Sequence, residues 1–225
     1  ARLVAWILQL GGRATGLACR DGLYLDRRRV EAVPSANFEA GQRLLMNRSV
    51  QAVVIENGPA SILQDGLAYD RCQVGIVTDF ERTAGLEAFD VRDDKQLFKV
   101  LRTQVDVILS SGTAVLNAAF APVAEMAELC DGDSILYACD EHLETLKVQR
   151  NNGGRAVFMR EQSVVMAHGR QESLLPDPLG LASAANIEAP TLLAAVAAAW
   201  ALGITPGLIS AGIKTFENRG AQGMN

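Results

Sequence analysis

The sequence predicts an α/β fold: a mostly parallel sheet flanked by helices, carrying a small antiparallel β subregion. Three observations lead there. Short, β-branched apolar runs at Ala52-Val53-Val54-Ile55, Val74-Gly75-Ile76-Val77 and Val105-Asp106-Val107-Ile108-Leu109 show no regular polar alternation, as strands covered on both faces do. Helical stretches lie between or after these runs, the pattern of repeated βα units. From Arg155 onward, strand candidates stand close together with turn residues between them, which suits antiparallel pairing.

The chain opens on Arg2–Leu10, apolar on nearly every face and stopped by Gly11-Gly12, a buried helix with a glycine C-cap. No capping side chain precedes it, so its first amides lack partners and the element reads as one truncated at its start. Residues 14–19 and 23–25 flank Arg20-Asp21-Gly22 as two strands flank a tight connection. Ser35 stands where it would cap a helix over Phe38, Leu44 and Leu45 that ends at Met46. Among the later βα units, residues 94–102 and 122–129 are the strongest helical stretches, and 134–137 is a further strand. Ala156-Val157-Phe158-Met159, Ser163-Val164-Val165-Met166 and residues 171–175 form the antiparallel set. The end is helical again: residues 187–202 stop at Gly203, and Thr205 then serves as N-cap with Pro206 at the first helical position ahead of Leu208, Ile209 and Ile213.

With 225 residues, 49% of them hydrophobic, the chain can bury a sizeable core and reads as one large domain. Its 21 Lys and Arg are scattered among 26 Asp and Glu for a formal net charge of -5, so it lacks the concentrated basic field that a nucleic-acid backbone demands. No apolar run reaches bilayer length, the Ala-rich stretch at 192–202 included, so no membrane partner is expected. The first residues lack the pattern of a signal peptide, and Cys19, Cys72, Cys130 and Cys139 form no Cys-x-x-Cys pair; a reducing cytoplasm is the expected compartment. His142 and His168 stand apart from any Cys or second His, which leaves a structural zinc site short of ligands. A Ser nucleophile at Ser110 or Ser111 lacks the Gly-x-Ser-x-Gly elbow, and Ser-Ser-Gly is ordinary loop composition.

Several segments, taken in order, resemble the central domain of the cyanophycin synthetases in the Mur ligase superfamily. Ala1-Arg2-Leu3-Val4-Ala5 resembles the helix that follows the family's phosphate loop. Thr15-Gly16-Leu17-Ala18-Cys19-Arg20-Asp21-Gly22-Leu23-Tyr24-Leu25 is similar to its Gly-x-x-x-x-Asp-Gly-x-Tyr segment, and Ser35-Ala36 to the Ser-Ala ahead of a helix. The spacing continues through Val53-Val54-Ile55-Glu56, Cys72-Gln73-Val74-Gly75-Ile76-Val77-Thr78, Lys99-Val100, Ala114-Val115-Leu116-Asn117-Ala118 and Gly154-Arg155-Ala156-Val157 to the helix after Asn186. The resemblance implies a P-loop NTPase-like central domain of the Mur ligase type over residues 1–220, lacking its P-loop, with 221–225 beginning a linker to a further domain.

It also implies an activity: an ATP-dependent amide ligase that joins aspartate and arginine through an acyl phosphate, with ATP and Mg2+ as cofactors and an amino acid or polymer end as substrate. A homo-oligomer is the family expectation. Site residues follow by position. Glu56, at the carboxyl end of a strand, matches the magnesium-binding glutamate, and Lys99 matches a lysine that many Mur ligases carbamylate as a second magnesium ligand. Asn117 matches an Asn near the nucleotide, and Asn186 falls near the superfamily's His-Asn segment. Each also has an ordinary structural role: a strand-end acid, a solvated helical lysine, a turn Asn, a helix cap.

The departures point the other way. Gly58-Pro59-Ala60-Ser61 replaces the family's Ala-Arg-Gly-Gly, and Asp79-Phe80-Glu81-Arg82-Thr83-Ala84-Gly85-Leu86 stands where a metal-ligating His belongs. Asn117-Ala118-Ala119-Phe120 replaces Asn-Ala-Asp-Asp. No Gly-x-x-x-x-Gly-Lys-Ser/Thr motif occurs, and Gly11-Gly12 follows a helix instead of opening one, the wrong polarity for phosphate binding. Two readings stay open: a piece of an active ligase, inactive by itself, or a degenerate paralogue that serves as a binding, regulatory or assembly subunit.

Overall fold

The computed structural model describes residues 1–81, 85–175 and 187–216. Asn186, the Arg82-Thr83-Ala84 segment and residues 217–225 with the expected linker lie outside the described residues. Helix α1 (Arg2–Leu10) leads into β1 (Thr15–Cys19), β2 (Gly22–Leu25) and β3 (Arg28–Glu31), then α2 (Phe38–Leu45) and β4 (Ala52–Ile55). These strands form a mixed four-stranded sheet in the order β3-β2-β1-β4, antiparallel except where β1 meets β4 in parallel, with Thr15 opposite Ala52 and Ala18 opposite Ile55.

Helix α3 (Pro59–Asp65) leads on to β5 (Cys72–Val77), α4 (Asp94–Asp106), β6 (Ile108–Asn117), α5 (Ala121–Glu125) and β7 (Asp133–Ala138). Then come α6 (Glu144–Asn151), β8 (Arg155–Arg160), β9 (Ser163–His168), β10 (Gln171–Leu175), α7 (Ala189–Ala201) and α8 (Pro206–Thr215). The six strands from β5 pair in chain order, parallel from β5 to β8 and antiparallel from β8 to β10. The antiparallel subregion is thus an extension of the parallel sheet and no separate unit, because β8 uses one edge for each kind of pairing.

Helices cover both faces. On one, α7 packs over β5 to β8 while α1 packs over β1 and β4, and α8 lies against both helices. Eight consecutive residues of α7, Leu192 to Ala199, are buried, as befits a helix apolar all round. The crossing of α1 and α8 depends on Gly212: a Cβ there would stand 2.5 Å from Ile7 Cγ1, so a larger residue would push the helices apart. On the opposite face, α2 covers β1 and β4, α4 covers β5 and β6, and α6 covers β7 and β8.

Local chemistry corrects two expectations. The cap of α2 is Asn37, whose side chain accepts from the Ala40 amide at 2.9 Å, whereas the Ser35 hydroxyl donates to the Val33 carbonyl. Asn37 is the residue next to the first turn, and Asn is as good a cap as Ser. Val105 and Asp106 end α4 instead of starting a strand; Val105 is apolar because α4 buries it, and β6 begins only at Ile108. The capping box at Asp93 and Gln96 fixes the other end of α4. Thr205 does stand at the N-cap of α8, but its backbone carbonyl, not its hydroxyl, takes the amides of Leu208 and Ile209.

Candidate functional site

In open α/β sheets ligands gather beyond the carboxyl ends of the strands, where loops and helix starts converge. Two of those ends here carry candidate residues, Asn117 at β6 and Glu56 just beyond β4. Asn117 closes β6 and is only 6% exposed. Its side-chain amide donates to the Thr78 carbonyl at 2.8 Å, just beyond β5, and its Oδ1 accepts from the Ala119 amide at 3.1 Å. Asn117 therefore fastens the ends of two neighbouring strands while turning the chain toward α5. Thr78 donates its hydroxyl to Asp79 at 2.8 Å, and both are exposed. At the end of β7, Tyr137 is buried, and burial, with the charge of Asp79 adding to it, raises its phenol well above the ordinary value. Asp79, Asn117 and Tyr137 thus form one polar corner.

Glu56 lies beyond β4 in the other sheet. Its backbone amide continues the ladder by donating to the Ala18 carbonyl at 2.9 Å. Its carboxylate meets Arg20, with Nε at 3.3 Å from one oxygen and the Arg20 amide at 3.5 Å from the other. The Glu56 side chain is 34% exposed and that of Arg20 79%, so this is a solvent-screened pair. Arg20 was not singled out from sequence, although its place in the turn after β1, beside the end of β4, follows once β1 and β4 pair.

Lys99 sits exposed in the middle of α4. Among the described residues no hydrogen bond or ion pair joins it to Glu56 or Asn117, and no group of three or more His, Cys, Asp and Glu is placed to hold a metal ion. Gly58-Pro59-Ala60-Ser61 opens α3, with Gly58 as N-cap and Pro59 in the first turn, so that departure is a helix start in its own right. No described helix is long and apolar enough to cross a membrane.

A cavity of about 610 Å3 opens between β4 and β5. Its lining includes Asn57 and Tyr69, hydrogen-bonded to each other at 3.0 Å, but not Glu56, Lys99 or Asn117. Burial pushes the Tyr69 phenol up to about 12, with the Asn57 hydrogen bond opposing, and the Cys72 thiol up to about 11, with Cys130 adding to the shift.

No family model matches the chain. It is 30% identical to the cyanophycin synthetase of Geminocystis herdmanii and 29% identical to that of Crocosphaera subtropica, each over 96% of this chain and 25% of the relative. The Synechocystis cyanophycin synthetase is 27% identical over 98% of the chain. The chain thus spans about a quarter of the length of the curated relatives it matches. Among solved structures, UDP-N-acetylmuramoyl-L-alanyl-D-glutamate--2,6-diaminopimelate ligase superposes with a TM-score of 0.69 at 11% identity, over 99% of this chain and 44% of that one. MurF from Acinetobacter baumannii gives 0.58 at 19% identity, over 98% and 43%. The fold is that of the Mur ligase central domain, and the sequence is similar to one segment of cyanophycin synthetases along nearly its whole length.

Proposed function

From a chain that is cyanophycin-synthetase-like in sequence and Mur-ligase-like in fold, we infer that this is the nucleotide-binding-type core of an ATP-dependent amide ligase. Its reaction joins amino acids, aspartate and arginine first among them, through an acyl phosphate. The observation that supports this most is positional: Glu56 and Asn117 both close parallel strands, where the resemblance assigns metal and nucleotide roles.

The chemical difficulty is charge, because a carboxylate and a phosphate chain must approach each other. Magnesium commonly takes one or two protein carboxylates besides waters and phosphate oxygens, and the partly exposed Glu56 carboxylate fits one such place, with Arg20 as the partner it would give up. When bound, the ion would neutralise charge on the phosphates. Asn117 acts as a positioning residue, since its amide already holds Thr78 and Ala119 and so fixes the strand ends. Lys99, as a carbamylated second ligand, and Asn186, toward the nucleotide, complete the reading. A cytoplasmic homo-oligomer is the expected setting. Because the sequence has no Gly-x-x-x-x-Gly-Lys-Ser/Thr segment, the chain alone is inactive.

A second reading, a degenerate paralogue used for binding, regulation or assembly, is favoured by the α3 start at Gly58-Pro59-Ala60-Ser61 and by Asp79-Phe80 in the place of a metal-ligating His. The full-length gene product decides between them when assayed with ATP, Mg2+, aspartate, arginine and a primer. Polymer synthesis that Glu56→Gln abolishes supports the ligase. A folded full-length protein that makes no amide bond under those conditions overturns it in favour of the paralogue.

A further inference from the structure

Charge is divided unevenly along the chain. Residues 1–51 hold eight Arg against four Asp and Glu, whereas the remaining residues hold 13 Lys and Arg against 22 Asp and Glu. Three of the eight, Arg27, Arg28 and Arg29, stand exposed where β2 turns into β3, the outer strand of the four-stranded sheet. The turn is tight: Leu25 pairs with Arg28 across it, and Asp26 takes a left-handed φ of 49°.

The three carboxylates that flank this turn in sequence are already committed. Asp26 faces inward: its side chain accepts from the Thr15 amide at 2.7 Å, and its own amide donates to the Thr15 carbonyl at 2.8 Å. Glu31 is paired with Arg43 at 2.6 Å and Asp21 with Arg2 at 3.4 Å. Among the described residues, no carboxylate forms an ion pair with Arg27 or Arg28. Aromatic rings hold the neighbouring guanidinium groups in place, Arg27 at 4.9 Å from the Trp6 ring and Arg29 at 5.9 Å from that of Tyr24. A side chain held in this way keeps its charge and has less freedom to lose when an anion arrives.

The outer edge of β3 supplies the other half of a binding site. Among the described residues β3 pairs only with β2, so its second edge offers backbone N–H and C=O groups to an added strand. Arg28, Arg29 and Val30 are exposed along it. Like charges placed opposite each other deter a second β3 from pairing there, and the same charges draw in an acidic chain. Nucleic acid has no backbone ladder to match this edge, and two unpaired guanidinium groups are few for a phosphate backbone.

We propose that the outer edge of β3, with Arg27 and Arg28, is a docking site for an extended acidic peptide. The peptide adds to the four-stranded sheet as a fifth strand, so its backbone supplies the ladder and its carboxylates supply the charge. Guanidinium suits that task because its planar fork matches the two oxygens of a carboxylate, and all eight basic residues of this segment are Arg. The site stands apart from the ligase reading, since neither Glu56 nor Asn117 takes part in it.

The test titrates a fluorescent Glu-Thr-Glu-Thr-Glu-Thr-Glu peptide with the 225-residue chain, reading anisotropy, and follows the complex by amide hydrogen exchange. Saturable binding is expected, weakened about tenfold or more by Arg27→Glu with Arg28→Glu, and lost when Gln replaces Glu in the peptide. Affinity should fall as salt rises. Exchange at residues 28–31 should slow by about fivefold or more in the complex, with β9 and β10 unchanged. Arg28→Gln alone, which disturbs no ring contact, should weaken binding by about threefold and keeps the comparison open if the double variant unfolds. Absence of saturable binding, equal binding by the folded variants, or binding without protection of residues 28–31 overturns the proposal. So does equal affinity for a single-stranded oligonucleotide of the same charge, which makes the surface a general anion site. Protection of residues 28–31 that rises with chain concentration in the absence of peptide assigns the edge to a second copy and overturns it as well.

Discussion

The Asn117 corner and the Glu56 corner are built in opposite ways. Asn117 closes an inner strand of the six-stranded sheet, is 6% exposed, and spends both ends of its amide on the backbone of its neighbours. Glu56 closes a half-exposed edge strand and holds a solvent-facing arginine. The first corner is set by the packing of the core around it and by the hydrogen bonds of Asn117 to its neighbours. The second is a partly exposed carboxylate whose ion-pair partner, Arg20, is itself mostly in solvent.

Substitutions in the two regions should separate accordingly. The largest effect belongs to the six-stranded sheet itself. Phe158 is fully buried, with the guanidinium groups of Arg150 and Arg160 at 5.2 and 5.4 Å from its ring. Phe158→Ala should cost about 3–5 kcal/mol in urea unfolding, the usual range for such a cavity. Asn117→Leu comes next, at about 1–3 kcal/mol, because it strands the Thr78 carbonyl and the Ala119 amide.

Smaller still is a pH effect at Glu172. Hydrogen bonds from Arg160, with help from Arg150, hold its carboxyl below the ordinary 4.5. A carboxyl depressed on folding contributes stability above its unfolded value and loses it as the pH falls through the folded one. Glu172→Gln should therefore lower stability at neutral pH and flatten the acid limb of the stability curve below 4.5. Arg20→Ala should change stability least, within about 0.5 kcal/mol, because the Glu56 pair is exposed. A cost as large as that of Asn117→Leu would erase the contrast between the corners.

Much of this architecture was legible in the sequence because burial writes itself into composition. β4, β5 and β7 are short apolar runs, and α7 is a block of Ala and Leu. What was missed lacked that signature. β3, Arg28–Glu31, is mostly charged and exposed, and exists because β2 offers it an edge. Helix α6 hides behind a polar sequence that buries Leu146. α4 runs longer than its polar pattern suggested because Val105 packs inward. At the site, the end-of-strand positions of Glu56 and Asn117 were readable from the alternation of strands and helices. The tie from Asn117 to Thr78 spans 39 residues, and it appears only when β5 and β6 pair.

On the proposed function, this chain supplies strand-end residues of a nucleotide site and not the phosphate-binding loop. The most direct test is magnesium-dependent ATP hydrolysis by the isolated 225-residue chain, measured as phosphate release beside its Glu56→Gln variant. No release above background is expected from either protein. Hydrolysis that depends on magnesium and disappears with Glu56→Gln would contradict it, because the site would then be complete within these residues.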